Sequence, residues 1–392
     1  MGNDELPHDE QSLEGMLVGG KYRVEHLVGS GGMGTVWSGR HLVLNSRVAI
    51  KFIRPIFAER AEARRRFEIE ARAAANVLSK NAVQVYDYGV TDDGLPYIVM
   101  EFLEGESLSE TLIRRGPLPA PEVAIIIAHA ARALAKAHRA GIVHRDLKPD
   151  NIFLATNVED ADSELAYTVK LVDFGIAKLL HDPSGKDNAF GGPTQTGAVI
   201  GTPNFMSPEQ LTLGGAPGAL TDLWSLGACA FSAMTARIPF EGEILGDIVL
   251  KVCVAPMPVA SQVHPGVPAG FDAWFARACH RDPTRRFQSA AELAESLAGV
   301  CGASADGIRT ALLEEDRVQY AFRPSTQKDL PITDSTPPRA MSSKTALLTG
   351  LLVGVTTVFG IVGVLAWRAK IHEEDFAASL MIDAGAPDAP KK

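Results

Sequence analysis

A long basic block is absent from this 392-residue chain, and so are paired cysteines, an internal repeat and a basic, apolar leader. Each absence closes off a class of function. The formal net charge is -9, and residues 1–20 carry five acids with no Lys or Arg. With no basic block to neutralise a phosphate backbone, a generic nucleic-acid binder is excluded. Cys229, Cys253, Cys279 and Cys301 lack Cys-x-x-Cys spacing, which argues against a zinc or redox motif. So few in so long a chain suit reduced cytosolic thiols better than a disulfide framework. The acidic start does not fit a signal peptide and reads as a solvated, disordered tail over residues 1–20. Glycine is plentiful but has no fixed period, so a collagen-like chain is excluded too. What remains, 46% hydrophobic and 22% charged, is the composition of a folded protein. At about 150 residues per domain, the length implies two or three units.

One apolar run stands out. Thr345–Trp367 is 23 residues without a charge. As a helix it spans about 35 Å, against roughly 30 Å of bilayer hydrocarbon. Lys344 before it and Trp367, Arg368 and Lys370 after it suit the two interfaces. A buried core helix rarely runs so long without polar punctuation, so a single transmembrane helix is expected over 345–367. Residues 301–344, with Pro324, Pro331, Pro337 and Pro338 among Ser, Thr and Asp, read as a polar juxtamembrane linker, and 368–392 as a short tail. Within the span Ala346, Gly350 and Gly354 recur every four residues. This is either a stripe along which two helices pair into a homodimer or plain glycine content.

Between the tail and the linker, residues 21–103 read mostly as strands: Tyr22–Val28, Thr35–His41, Arg47–Phe52, Val83–Tyr88 and Tyr97–Phe102. One helix, about Glu59–Leu78, is rich in Ala, Arg and Glu and lacks Gly and Pro. Residues 104–300 are mostly helical, as at Pro121–Arg139 and Ala219–Ala236.

Val28 leads into Gly29, Ser30, Gly31, Gly32, Met33 and Gly34, followed by Thr35 and Val36. In a dinucleotide-binding fold such glycines open a helix, with an acid about 20 residues on. Here strand patterns flank them and Lys51 stands near the acid's place, which excludes a dinucleotide oxidoreductase. The segment reads as a glycine-tipped hairpin, either an ordinary tight turn or a bare backbone able to lie over a polyphosphate. Strand alternation sends Ile50 and Lys51 to opposite faces, so an ammonium can face the cleft under that hairpin. Glu70 on the following helix is a suitable anion to hold it. His144 to Asn151 then sets six polar residues in eight between apolar segments, which is costly as mere connection. Some way on, Val169–Val172 leads into Asp173, Phe174 and Gly175, a strand-end carboxylate that can face a metal.

In this order, the motifs resemble the protein-kinase family over roughly residues 21–300. Gly29, Gly31, Gly34 and Val36 match its glycine-rich loop, Lys51 its strand lysine and Glu70 the helical partner. Asp146, Lys148 and Asn151 match the catalytic loop, and Asp173, Phe174 and Gly175 the metal-binding motif. Ser207, Pro208 and Glu209 stand where the family has Ala-Pro-Glu. Asp222 with Trp224 and Gly227 matches the next helix, and Arg286 the arginine that pairs with Glu209. The wording is similar to the bacterial, eukaryotic-like Ser/Thr branch.

The resemblance implies an α+β, two-lobed kinase fold plus the membrane helix, with a β-rich N-lobe (21–103) and a larger helical C-lobe (104–300). It implies ATP and Mg²⁺ as cofactors and protein substrates with Ser or Thr hydroxyls, but no nucleic acid. The glycine hairpin and Lys51, held by Glu70, would take the phosphates, and Asn151 and Asp173 the cation. Asp146 would orient the substrate hydroxyl and Lys148 steady the transferring charge. Met100 would guard the back of the adenine pocket, with Glu101–Leu103 as its hinge. Thr194 and Thr196 resemble autophosphorylation threonines. The kinase domain is expected on the cytoplasmic side of the inner membrane, where ATP is. Ser79, Lys80, Asn81 and Ala82 depart from the family's usual stretch after the helix, a matter of packing. A pseudokinase scaffold or a nucleotide-binding membrane adaptor would keep the fold and lose the chemistry. Lys51, Asp146, Asn151 and Asp173 all being in place argues against both.

Overall fold

The computed structural model describes residues 13–31, 34–53, 71, 74–156, 167–174, 203–212, 215 and 217–303. Gly32, Met33, Glu70, Gly175, Thr194, Thr196 and the expected span 345–367 lie outside the described residues, as does the linker beyond Ala303. Among the described residues no helix is long and apolar enough to cross a membrane.

The first lobe is a six-stranded antiparallel sheet of order β1-β2-β3-β4-β6-β5. Its strands are β1 Leu17–Val18, β2 Tyr22–Gly31, β3 Gly34–His41, β4 Arg47–Ile53, β5 Val85–Val90 and β6 Pro96–Glu101. Residues 13–20, expected as part of a solvated tail, are ordered on this sheet instead. Leu17 pairs with Arg23 and Val18 with Tyr22, and Val18 and Tyr22 are both buried, with Leu13 and Met16 packed beside them. Apolar residues spaced among the acids supply the reason: burying them outweighs solvating the acids. β2 runs on to Gly31 because the hairpin stays paired through Ser30–Thr35 and Gly31–Gly34. β5 starts at Val85 rather than Val83, whose N–H is spent on the Leu171 carbonyl. The helix expected to reach Leu78 is helical at Ala71, Ala74 and Ala75 and has ended by Asn76.

The second lobe carries a three-stranded sheet, β7 Gly105–Ser107, β8 Ile152–Thr156 and β9 Tyr167–Leu171, with β8 in the middle. Among the described residues this lobe has eight helices, two of them between β7 and β8: α1 Leu108–Arg115, α2 Ala120–Arg139, α3 Pro208–Leu211, α4 Ala219–Thr235, α5 Leu245–Cys253, α6 Ala260–Val263, α7 Phe271–Ala278 and α8 Ala290–Cys301. α2 forms because Val123, Ala124, Ile127, Ala131 and Leu134 recur at helical spacing and bury one face. Pro119 precedes its first turn, and Lys136, His138 and Arg139 oppose the dipole in its last. α4 is buried from Thr221 to Thr235, with Trp224 stacked on Phe240. α2 packs against α4, α8 and β9, so one apolar core runs beneath the catalytic residues.

Candidate active site

Lys51 lies in β4 between Val36 of β3 and Ile98 of β6, so its backbone is fixed from both sides. Its Nζ reaches Asp173 Oδ1 at 2.6 Å. Asp173 stands just past β9 with φ of 57°, and Arg145 in the facing loop has φ of 61°. That left-handed region is costly for side-chain-bearing residues and is tolerated best by Asp and Asn. Burial would raise the Asp173 carboxyl, but the charge and hydrogen bond of Lys51, helped by His144 and Lys148, hold it below its ordinary value. An ionised carboxylate therefore faces the cleft. The expected partner of Lys51, Glu70, lies outside the described residues, and among them its ion-pair partner is Asp173.

The loop carrying Asp146 is held from below. Asp222, fully buried at the start of α4, accepts hydrogen bonds from the backbone N–H of His144 and of Arg145, both at 2.8 Å. Its Oδ2 also lies 2.7 Å from His138 Nε2. His144 donates through Nε2 to the Val172 carbonyl at 3.0 Å and packs its ring on Phe174, centroids 5.0 Å apart. The loop and the strand end bearing Asp173 are thus one hydrogen-bonded unit. Asn151 donates to the Asp146 carbonyl at 2.7 Å, and Lys148 Nζ lies 3.9 Å from Asp146 Oδ2. The sequence brought out Asp146, Lys148 and Asn151 as a group, and the fold places them together.

Asn151 spends its amide N–H inside the loop, which leaves its side-chain oxygen to serve as a ligand atom. Oxygen donors of this kind fit a hard cation such as Mg²⁺. Among the described residues no cluster of three or more His, Cys, Asp or Glu could hold a metal alone.

Above them, Ala49, Val83 and Met100 form a buried apolar cluster, joined by Val36, Phe102, Leu103 and Val172. A flat aromatic base fits such walls, and the backbone of Glu101–Leu103 borders them. The glycine hairpin pairs Gly29 with Val36. A Cβ at Gly34 would collide with the Phe52 carbonyl oxygen, so only glycine lets β3 come this close to β4. Val28 stays 59% exposed at the hairpin's edge, while Thr35 is buried with its hydroxyl accepting from Trp37 Nε1 at 3.0 Å. Thr35 can therefore offer a ligand its backbone only.

Arg286 is fully buried and grips Glu209 with two bonds, Nη1–Oε1 2.7 Å and Nη2–Oε2 2.8 Å, as the resemblance implied. Thr221 adds a third to the same carboxylate at 2.9 Å. Sequence reasoning matched Asp222 to a helix motif but missed its work, and it missed the walls supplied by Ala49, Val83 and Val172.

A family model described as "Protein kinase domain" matches residues 22–296. Over 281 residues the chain is 35% identical to the serine/threonine-protein kinase PrkC of Bacillus subtilis, covering 72% of this chain and 40% of that relative. It is 36% identical over 288 residues to the serine/threonine-protein kinase PknL of Mycobacterium tuberculosis, covering 74% and 67%. It is 38% identical over 286 residues to Pkn1 of Myxococcus xanthus, covering 72% and 39%. The chain thus spans well under two thirds of PrkC and Pkn1. Among solved structures, the Mycobacterium tuberculosis PknI kinase domain superposes with a TM-score of 0.56 at 26% identity, covering 73% of this chain and 98% of that one.

Proposed function

Because this chain belongs to the protein kinase family, we propose that it transfers the γ-phosphate of ATP to Ser or Thr hydroxyls of proteins. The observation that carries the reading is the joining of Lys51, Asp173, Asn151 and Asp146 in one cleft, with every catalytic side chain present. A pseudokinase scaffold has nothing in its favour.

Phosphoryl transfer asks little covalent work of a protein, which acts by positioning and by spreading charge. The hinge backbone and the apolar walls around Met100 would hold the base, and Lys51 would pair with phosphate oxygens. Asn151 and Asp173 would hold Mg²⁺, which when bound neutralises charge on the phosphates. Asp146, braced by Asn151, orients the substrate hydroxyl and takes its proton as the oxygen bonds to the γ-phosphorus and the bond from that phosphorus to the β,γ-bridging oxygen breaks, releasing ADP. Because a carboxylate is a weak base, orientation is its larger contribution. Lys148, within reach of Asp146, steadies the negative charge spread over the phosphoryl oxygens. Radiolabelled phosphate transfer by the detergent-purified full chain, with and without Asp146→Asn, tests this; equal labelling by the variant would overturn it.

The finer reading has the kinase domain tethered to the cytoplasmic face of the inner membrane by the apolar run 345–367, whose Gly350 and Gly354 pair two copies. Tethered domains meet at high effective concentration, which favours phosphorylation of one copy by the other at Thr194 or Thr196. Phosphate there would supply charge for Arg145 to pair and so order the segment. Mass spectrometry after incubation with Mg·ATP checks the threonines, and protease added outside intact cells, which should spare the kinase domain, checks the orientation.

A further inference from the structure

Strand β9 does more than deliver Asp173. Four successive residues of this stretch each bond to a segment outside β8 and β9. The Val169 carbonyl accepts from Asn81 Nδ2 at 2.8 Å. Lys170 Nζ donates to both carboxylate oxygens of Glu101, each at 2.8 Å. Leu171 donates to the Asn81 carbonyl at 2.8 Å and accepts from Val83 N–H at 2.9 Å. Val172 donates to the Asn151 carbonyl and accepts from His144, both at 3.0 Å.

The Lys170–Glu101 contact joins the two sheets. Lys170 belongs to the second lobe, paired with Phe153 of β8, while Glu101 ends β6 of the first lobe, opposite Val48 of β4. The pair is sheltered: the Lys170 side chain is 13% exposed and that of Glu101 26%. Glu101 is also held through its backbone, its N–H donating to the Gln84 carbonyl at 2.8 Å, while its Oε2 accepts from Gln84 N–H at 3.3 Å. With side chain and main chain both restrained, Glu101 has one place to sit, and it is the first residue of the hinge. A carboxylate this sheltered needs its counter-charge. Without Lys170 it would turn toward water and carry the hinge backbone with it.

Resting on the kinase reading, we propose that Lys170 is a positioning residue for ATP: by gripping Glu101 it sets the hinge of Glu101–Leu103 against the strand that carries Asp173. Base recognition and the cation-binding carboxylate are then registered through one strand. Preorganisation of this kind acts on ground-state binding, so its loss shows in affinity before turnover.

The test uses the full chain in detergent with Mg·ATP, read by steady-state kinetics and by calorimetric affinity. Lys170→Met should raise KM and Kd for ATP about fivefold while kcat stays within about twofold. Lys170→Arg should recover most of the affinity, and so should the exchange Glu101→Lys/Lys170→Glu. An unchanged ATP affinity in Lys170→Met, or lowered kcat and thermal stability at unchanged KM, would overturn the proposal and leave Lys170 a structural residue. If Lys170→Met does not fold, a folded exchange variant decides: near-native affinity supports the brace, and affinity fivefold weaker overturns it. A wild type that binds Mg·ATP but labels no protein would instead overturn the proposed function, and the affinity comparison would still judge the brace.

Discussion

The two lobes bury their apolar residues in different ways. In the second lobe one continuous core runs from Leu108 to Cys301, joined by Val77 and Ala82, with α2 and α4 at its centre. The first lobe divides its buried residues among three smaller groups, one around Ile50 on one face of its sheet and two around Ile98 and Met100 on the other. The charged pairs follow the same division. Arg286–Glu209 sits at the edge of the large core with the arginine fully buried, whereas Arg40–Glu25 lies on the sheet's surface with side chains 39% and 25% exposed. A continuous core fixes atoms, and so the loop of Asp146 is anchored there through Asp222. The glycine hairpin lies in the thinner sheet, which would cover the proposed nucleotide. The two lobes thus differ in how firmly their buried residues are joined.

The sharpest way to break this comparison is to remove chemistry from each side. Asp146→Asn in the second lobe and Lys51→Met in the first should each cut phosphoryl transfer about 1000-fold, with thermal stability little changed, since neither side chain supports a core. Initial rates of radiolabel transfer measure the loss, and a tenfold or smaller effect in either would deny it that role.

Next comes the buried pair. Arg286→Met leaves Glu209 as a sheltered charge without its partner and should destabilise the second lobe by about 3–4 kcal/mol. Trp224 and Trp274 report that lobe in urea titrations, while Trp37 reports the first. The pair also sets an acid limit. Burial pushes the Glu209 carboxyl up, but the Arg286 hydrogen bonds outweigh it and hold the group below its ordinary range. With the folded value below the unfolded one, the stabilisation is whole above about pH 4.3 and fades as pH falls through the folded value. Arg286→Met should lose that acid-side dependence.

A smaller effect is expected at the hairpin. Gly34→Ala forces β3 away from the Phe52 carbonyl and should raise KM for ATP about tenfold, with the Trp224 unfolding midpoint unmoved. The smallest belongs to the surface pair: Arg40→Ala should change stability by no more than about 0.5 kcal/mol. A cost near that of Arg286→Met would erase the contrast between the lobes.

What the sequence made legible follows from distance along the chain. Asp146, Lys148 and Asn151 share one short segment, and Asp173 announces itself with Phe174 and Gly175, so their grouping could be read directly. Lys51 could be placed by strand alternation. Asp222 could not be given its work, since it reaches back 77 residues to the Arg145 N–H. The same is true of Lys170 and Glu101, 69 residues apart, because a lysine in a strand looks alike whether it meets water or a hinge. Leu17 and Val18 were hidden differently: acids around them set the local composition, while one buried valine and its pairing with Tyr22 decided the structure.

The left-handed backbone at Arg145 bears on laboratory evolution. An L-residue there carries about 1–2 kcal/mol that glycine would not. A selection for heat resistance alone should therefore enrich Gly at position 145, giving a sturdier protein stripped of the guanidinium proposed to pair with phosphate at Thr194 or Thr196. Libraries meant to harden this enzyme without losing that proposed pairing should hold position 145 constant.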